Sequence, residues 1–161
     1  LSKLLFERNA KLIVSNIGRD AIDKLKQDKV SFTESDIDTI FEKECDIISP
    51  CALGGAINSE VKKKLKCKAI VGAANNQLDK SETALWLKEN NIFYAPDYLV
   101  NSGGVIAISC EINKSEYTLD DQLNKISDKV LSLLKESQKS TLSTDKIAED
   151  LAWKRINSLQ F

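Results

Sequence analysis

The chain has 161 residues, of which 42% are hydrophobic and 29% are charged, so it is long enough for one compact domain with a substantial core. A formal net charge of -1 without a sustained basic run excludes an electrostatic basis for binding nucleic acid or an anionic membrane. The apolar runs fall far short of the roughly 20 residues that a membrane-spanning helix needs, so we expect a soluble protein.

Leucines with helical spacing open the chain, and we expect that Leu1 lies inside a helix rather than at its start. Short apolar runs rich in β-branched residues predict strands at residues 11–15, 45–48, 69–71 and 92–95. Helical patterns lie between them at residues 20–27, 59–66 and 81–90, and a further short strand is expected at 30–32. This alternation predicts a parallel sheet covered by helices on both faces.

After Asn101 the pattern becomes helical only. Residues 105–112 are apolar, a leucine-rich stripe follows from Leu119 to Leu134, and a last helix is expected from a cap near residues 143–145. We therefore divide the chain into an α/β domain at residues 1–112 and a helical segment at 113–161.

The segments that follow the four predicted strands are rich in small and amide-bearing residues. They are residues 16–19, 49–55, 72–77 and 96–104. Ligands of open parallel sheets bind beyond the carboxyl ends of the strands, where glycine lets backbone amides approach and neutral amides can bond a ribose or a carboxamide. Ordinary turns have a similar composition, but four such loops at one edge favour a binding site.

Four cysteines without a C-x-x-C pair, and the absence of histidine, argue against a zinc site. Free thiols in a reducing cytoplasm are the simpler interpretation, and no metal is expected. Cys51 stands apart because it lies in a glycine-flanked loop where a ligand could pass.

Three sequence words resemble the cofactor domain of the glutamate, leucine, phenylalanine and valine dehydrogenases, the leucine enzymes most of all. They are Cys-Ala-Leu-Gly-Gly from Cys51, Ala-Asn-Asn-Gln-Leu from Ala74, and Pro-Asp-Tyr-Leu-Val-Asn-Ser-Gly-Gly from Pro96. The resemblance implies an α/β fold with a Rossmann-type, doubly wound, mostly parallel sheet, truncated at its N-terminus and followed by helices.

The implied reaction is the reversible oxidative deamination of an L-amino acid to a 2-oxo acid and ammonia, with a hydride passing to a nicotinamide. In this family the glycine-rich phosphate loop, G-x-G-x-x-G, and the catalytic lysine and aspartate precede the part that resembles this chain. We therefore expect no catalytic residue within the 161 residues, an inactive fragment, and a homo-oligomeric parent enzyme in the cytoplasm.

The resemblance also assigns candidate site residues. Asn76 corresponds to an asparagine near the nicotinamide and the substrate, and three residues would line the cofactor path: Cys51, Ala52 and Leu53. Three more would wall the substrate side chain: Gly104, Val105 and Ile108. An apolar wall favours an aliphatic amino acid such as leucine or valine over glutamate. The alternative for Val105 and Ile108 is ordinary packing in a helix core.

The chain differs from its family at the position that binds the ribose of the adenosine half of the cofactor. Where NAD-dependent members carry an acidic residue at the end of the second strand, this chain has Asn16, followed by Ile17 and, three residues on, Arg19. Without the carboxylate a 2′-phosphate is not repelled, and an arginine could attract it. The cofactor is thus expected to be NAD, with NADP possible; the alternative is that Asn16 still bonds the ribose while Arg19 is solvated.

Two other functional classes stay open on the sequence. One is a non-catalytic nucleotide-binding regulatory module that has kept the cofactor edge. The other is a structural interaction domain without a nucleotide, which the four loops argue against.

Overall fold

The computed structural model describes residues 1–113 and 118–158 of the chain. It divides into two compact units, residues 1–43 and residues 44–161. Within the described residues, no helix is long and apolar enough to cross a membrane.

The first unit is a parallel strand pair with two helices. Its elements are α1 (Ser2–Phe6), β1 (Ile13–Val14), α2 (Arg19–Gln27) and β2 (Thr33–Glu34). The register pairs Ile13 with Thr33 and Val14 with Glu34. Helix α2 carries Asp20 in its first turn and lysines in its last, as the helix dipole favours, and it buries Ile22.

The strand expected at residues 30–32 is wrong in position, because these residues complete the end of α2. Lys29 adopts a left-handed conformation with φ of 56°, and the N–H of Val30 donates to the carbonyl of Leu25 at 3.0 Å. Val30 itself is buried. Strand pairing begins only at Thr33, in a polar segment that carries no apolar signal.

The second unit contains a three-stranded parallel sheet. Its elements are β3 (Ile47–Ile48), β4 (Ala69–Ile70), α3 (Ser81–Glu89) and β5 (Phe93–Tyr94), and the strand order is β3-β4-β5. The predicted strands at 11–15, 45–48, 69–71 and 92–95 are therefore confirmed, although the regular pairing is shorter than each apolar run. Ile57, Ile70 and Leu87 are fully buried and mark the core beside this sheet.

The helix expected at residues 59–66 is wrong, because the segment holds only a single 3-10 turn at Lys62–Lys64. The side-chain oxygen of Asn58 accepts hydrogen bonds from the N–H groups of Glu60 and Val61, both at 3.0 Å. This local cap starts a turn, but in a longer helix Lys62 and Lys66 would form a like-charge pair four residues apart, which disfavours its extension.

The remaining helices follow β5. They are α4 (Asp97–Val100), α5 (Gly103–Asn113), α6 (Leu119–Ser137) and α7 (Thr144–Ser158). Helix α6 packs against α4, α5 and α7, and α7 also contacts α3 and β5. Thr118 and Asp121 form a capping box that fixes the start of α6. The α/β class with parallel sheets and C-terminal helices is confirmed; the division at residues 112 and 113 stays a prediction.

Candidate functional site

The loops after β3 and β4 meet at the carboxyl edge of the three-stranded sheet. We call residues 49–55 and 71–77 the carboxyl-edge loops. The N–H of Ala74 donates to the carbonyl of Pro50 at 3.0 Å, which joins the two loops directly. Polar groups from both are thus held beside one another where parallel sheets bind their ligands.

Gly72 is the position where the two loops approach most closely. A Cβ atom at this residue would lie 2.2 Å from the carbonyl oxygen of Pro50 and 2.6 Å from its Cδ. Both are held by the backbone or by a rigid ring, so neither can move aside cheaply. The packing of the carboxyl-edge loops therefore requires glycine here.

The second carboxyl-edge loop is closed from inside by Gln77. This side chain is fully buried, and its Nε2 donates to the carbonyls of Gly72 at 2.8 Å and Ala74 at 2.9 Å. Two carbonyl partners fix which end of the amide is nitrogen. Within the part of the chain that the structure describes, Oε1 of Gln77 has no hydrogen-bond partner.

Asn76 lies at the exposed tip of this loop in a left-handed conformation, with φ of 52°. Asparagine tolerates this conformation better than most residues. Its carbonyl accepts the N–H of Gly55 at 2.7 Å, which ties it to the first loop. The exposed amide of Asn76 is therefore presented on a backbone that is anchored on both sides, by Gly55 and by Gln77.

Asp97 connects the start of α4 to the same loop. Its Oδ2 accepts the backbone N–H of Gln77 at 3.0 Å, and its Oδ1 accepts the N–H of Tyr98 at 2.6 Å. The side-chain amide of Asn101 donates to the Oδ1 atom of Asn75. The loop that carries Asn76 is thus braced from α4 as well as from within.

The first turn of α7 is tied to the same region. The hydroxyl of Thr144 donates to the carbonyl of Tyr94 at 2.6 Å, and the hydroxyl of Tyr98 donates to the carbonyl of Asp145 at 3.2 Å. Burial raises the pKa of Tyr94, of Tyr98 and of the Asp145 carboxyl, and neighbouring carboxylates add to each effect. Both phenols are therefore neutral at physiological pH. The hydroxyl of Tyr98 donates, whereas that of Tyr94 accepts the N–H of Asp97 at 3.3 Å.

The expected cofactor-path residues of the first loop are exposed. Cys51, Ala52 and Leu53 all face solvent, and Leu53 retains 82% of its accessible surface. The thiol of Cys51 lies 3.4 Å from the hydroxyl of Ser49. The structure brings these three into the loop that contacts Asn76 through Gly55.

The expected substrate-wall residues lie on α5. Gly104 is exposed, and no atom of the described residues lies within 4 Å of the position that its Cβ would take. Val105 and Ile108 retain 72% and 59% of their accessible surface. Ile112, one turn further, is 74% exposed. Ordinary core packing within this chain therefore does not account for the apolar face of α5.

The expected ribose residues lie in the first unit, described by itself. The side-chain amide of Asn16 donates to the carbonyl of Gly18 at 2.8 Å, and Ile17 is 84% exposed. Nη1 of Arg19 lies 2.5 Å from Oε1 of Glu34. Arg19 is therefore ion-paired as well as exposed to solvent. The sequence interpretation did not identify its partner, Glu34, which lies 15 residues further along the chain.

The cysteines are free thiols, and in residues 1–113 and 118–158 no group of three His, Cys, Asp or Glu side chains is arranged to hold a metal ion. Burial raises the pKa of Cys67 to about 11, with the neighbouring Cys45 adding to the effect. The pKa of Cys45 is also raised, by burial and then by Asp46. Both are protonated, unreactive thiols at neutral pH.

The chain matches a family model described as glutamate/leucine/phenylalanine/valine dehydrogenase over residues 7–158. It is 36% identical over 164 residues to a leucine dehydrogenase of Thermoactinomyces intermedius, and 34% identical over 163 residues to a phenylalanine dehydrogenase of the same organism. Each alignment covers 99% of this chain and 44% of the relative. The chain thus spans less than half the length of these curated relatives.

Among solved structures, the fold is similar to the L-tryptophan dehydrogenase from Nostoc punctiforme. The TM-score is 0.90 and the sequence identity is 31%, and the match covers 98% of this chain and 48% of that one. The carboxyl-edge loops and the helices after them are thus part of a fold that this solved dehydrogenase shares.

Proposed function

The chain belongs to the glutamate, leucine, phenylalanine and valine dehydrogenase family, and we propose that it is the nucleotide-binding part of an enzyme that oxidatively deaminates a branched-chain L-amino acid. The observation that carries the proposal is the exposed amide of Asn76, held at the carboxyl edge by Gly55, Gln77 and Asp97. The product would be the 2-oxo acid and ammonia.

The residues at this edge fit the nicotinamide half of a dinucleotide. The donor set is neutral, consisting of amides, hydroxyls and backbone N–H groups. A Cβ atom added to Gly54 would lie 3.0 Å from the carbonyl oxygen of Asn75, so the two loops approach each other closely at this glycine. When bound, the nicotinamide accepts the hydride from the substrate. Asn76 would orient it, while Cys51, Ala52 and Leu53 would line its path and exclude water.

The preference for an aliphatic substrate is supported by the exposed apolar face of α5. Gly104 leaves space at one end of it, and Val105 and Ile108 offer only hydrocarbon. Burying a methylene group against such a wall contributes about 0.8 kcal/mol, whereas a substrate carboxylate would lose hydration against the side chains of Val105 and Ile108. This favours leucine or valine over glutamate.

The groups that deprotonate the amino acid would come from outside these 161 residues, because the relatives are more than twice as long. We propose that this chain alone binds and orients without catalysing, and that the whole enzyme is a cytoplasmic homo-oligomer. Its dinucleotide is NAD, with NADP as the alternative, and the ribose of its adenosine half would lie near Asn16, Ile17 and Arg19.

The second candidate is a regulatory module that has kept the carboxyl-edge loops and binds a nucleotide without catalysis. The two functions differ in what the longer protein does with an amino acid. Binding of nicotinamide nucleotides without their reduction in the presence of any amino acid would favour the regulatory module.

The test is a steady-state assay of the longer protein that carries this chain. Leucine, valine, phenylalanine and glutamate are each offered with NAD and with NADP, and reduction of the nicotinamide is followed by absorbance. We expect the highest kcat/KM with leucine or valine and the lowest with glutamate. An order led by glutamate would contradict the assignment of Val105 and Ile108.

A variant pair sharpens this assay. Ile108→Ala removes three carbons from the proposed wall, so we expect kcat/KM for leucine to fall by about tenfold or more. Ile37→Ala, a change of equal size at a residue that is 49% exposed in the first unit, is the matched control and should change it less than about twofold.

A further inference from the structure

Glu34 occupies a particular place in the first unit. It is the last residue of β2, and it pairs in register with Val14, the last residue of β1. The N–H of Ser35 donates to the carbonyl of Val14 at 2.9 Å, so the two chains leave the sheet side by side. Glu34 and the segment from Ser15 to Arg19 therefore lie at the same edge, with strand axes about 4.8 Å apart.

The carboxylate of Glu34 contacts two cations of α2. Oε1 lies 2.5 Å from Nη1 of Arg19, and Oε2 lies 3.6 Å from Nζ of Lys26. Arg19 precedes Glu34 by 15 positions, so the fold and not the local sequence brings the two side chains together. One carboxylate thus neutralises the cation that stands at the start of α2.

In Rossmann-type sheets an acidic residue at the end of the second strand bonds the ribose hydroxyls, and an arginine nearby accepts a 2′-phosphate instead. Asn16 cannot repel a phosphate, and its Nδ2 is already bonded to the carbonyl of Gly18. Taken alone, Asn16 and Arg19 would favour NADP. The ion pair of Arg19 with Glu34 reverses that expectation, because the guanidinium, which is always charged, already has an anionic partner.

We propose that Glu34, on the strand next to that of Asn16, determines the choice of cofactor: by holding Arg19, it denies this guanidinium to a 2′-phosphate. The enzyme accordingly favours NAD. This inference rests on the proposed function, because it requires that a nicotinamide dinucleotide binds at this edge.

The ion pair is open to competition by a ligand. The side chains of Arg19 and Glu34 retain 73% and 40% of their accessible surface, so solvent screens the pair and its own contribution to stability is small. Removing the carboxylate should therefore leave the fold intact while freeing the guanidinium. A dianionic phosphate can then replace it with charge-assisted hydrogen bonds.

The experiment measures the ratio of kcat/KM for NAD to that for NADP in the longer enzyme. In parallel, calorimetry gives the affinities of 5′-AMP and of adenosine 2′,5′-bisphosphate, which need no catalysis. We expect Glu34→Gln to lower the NAD to NADP ratio by about five- to thirtyfold and to tighten the bisphosphate by a similar factor. Glu34→Asp, which keeps the charge, should retain most of the preference.

Two further variants separate the mechanism from a general change of charge. Asp28→Asn removes one negative charge at the other end of α2, about 13 Å from Arg19 along a nine-residue helix, and should change the ratio less than about twofold. In an Arg19→Ala background, the effect of Glu34→Gln should fall to a third or less, because the freed guanidinium is gone.

The outcomes distinguish the two proposals. An unchanged ratio in an active Glu34→Gln enzyme would overturn the role of Glu34 and leave the proposed function standing. An undiminished effect of Glu34→Gln in the Arg19→Ala background would also overturn it, since Arg19 would not be the group that is held. A longer protein that binds neither NAD nor NADP would overturn both proposals.

Discussion

Replacing Gln77 by leucine tests whether the buried amide builds the candidate site. The change keeps most of the side-chain volume but removes the two hydrogen bonds to the carbonyls of Gly72 and Ala74. Each buried carbonyl left unpaired costs about 1 to 3 kcal/mol. Removal of Oε1, which has no partner among the described residues, offsets about 1 kcal/mol of that loss.

The balance is a loss of about 1 to 5 kcal/mol in the free energy of unfolding. For proteins of 150 to 250 residues this corresponds to a fall in Tm of about 2 to 20 °C. Thermal unfolding followed by circular dichroism measures it in the chain, and calorimetry measures it in the longer protein. Gln138→Leu, at an exposed residue, is the matched control and should stay within about 0.5 kcal/mol of the wild type.

The same variant has a functional readout. Because the amide closes the loop that presents Asn76, Gln77→Leu should lower kcat of the longer enzyme more than it raises the KM for the amino acid. A Tm within 1 °C of the wild type together with full kcat would refute the reasoning that this side chain holds the loop.

Four other expectations follow from the contacts of single residues. Gly72→Ala should destabilise the protein by about 1 to 3 kcal/mol, because its Cβ would overlap Pro50, whereas Gly104→Ala, with open space around it, should be neutral or stabilising by up to about 1 kcal/mol in thermal unfolding. Asn76→Ala should lower kcat of the longer enzyme more than the affinity for 5′-AMP, and the reverse pattern in kinetics and calorimetry would move Asn76 away from the nicotinamide. Asn16→Asp should raise the NAD to NADP ratio of kcat/KM, and no change would show that this position does not face the ribose. The purified 161-residue chain should reduce no NAD with leucine, and measurable turnover would contradict the placement of the catalytic groups outside it.

The parallel strands could be predicted because strands that are buried on both faces consist of short runs of apolar residues. Residues 45–48, 69–71 and 92–95 carry such runs, and the pairing found at Ile47, Ala69 and Phe93 lies inside them. Strand β2 has no such run, since Thr33 and Glu34 are exposed, and its position follows only from pairing with β1.

The contacts that build the site could not be predicted from the sequence, because they depend on how separate segments fold together. Gln77 lies in the word Asn-Asn-Gln, which is typical of a solvated turn, and its burial depends on how the loop folds back over it. The ion pair between Arg19 and Glu34 joins residues 15 positions apart through the geometry of two elements. The sequence carries only an indirect signal. Gln77 lies directly before the apolar Leu78, in a segment that begins with the small Ala74, and a polar residue in such a place can be buried if its amide bonds backbone carbonyl groups.

The attachment of α7 to the end of β5 has a mechanical consequence. Thr144 and Asp145, at the start of a 15-residue helix, are bonded to Tyr94 and Tyr98, and Asp97 beside them holds the N–H of Gln77. A helix of this length is about 22 Å long. A small displacement of its far end would be transmitted through these hydrogen bonds to the end of β5 and to the loop that carries Asn76. Displacement of α7 is therefore expected to alter the carboxyl edge at a distance from any ligand that the edge binds, and the exposed Trp153 lies on the part of α7 away from these bonds.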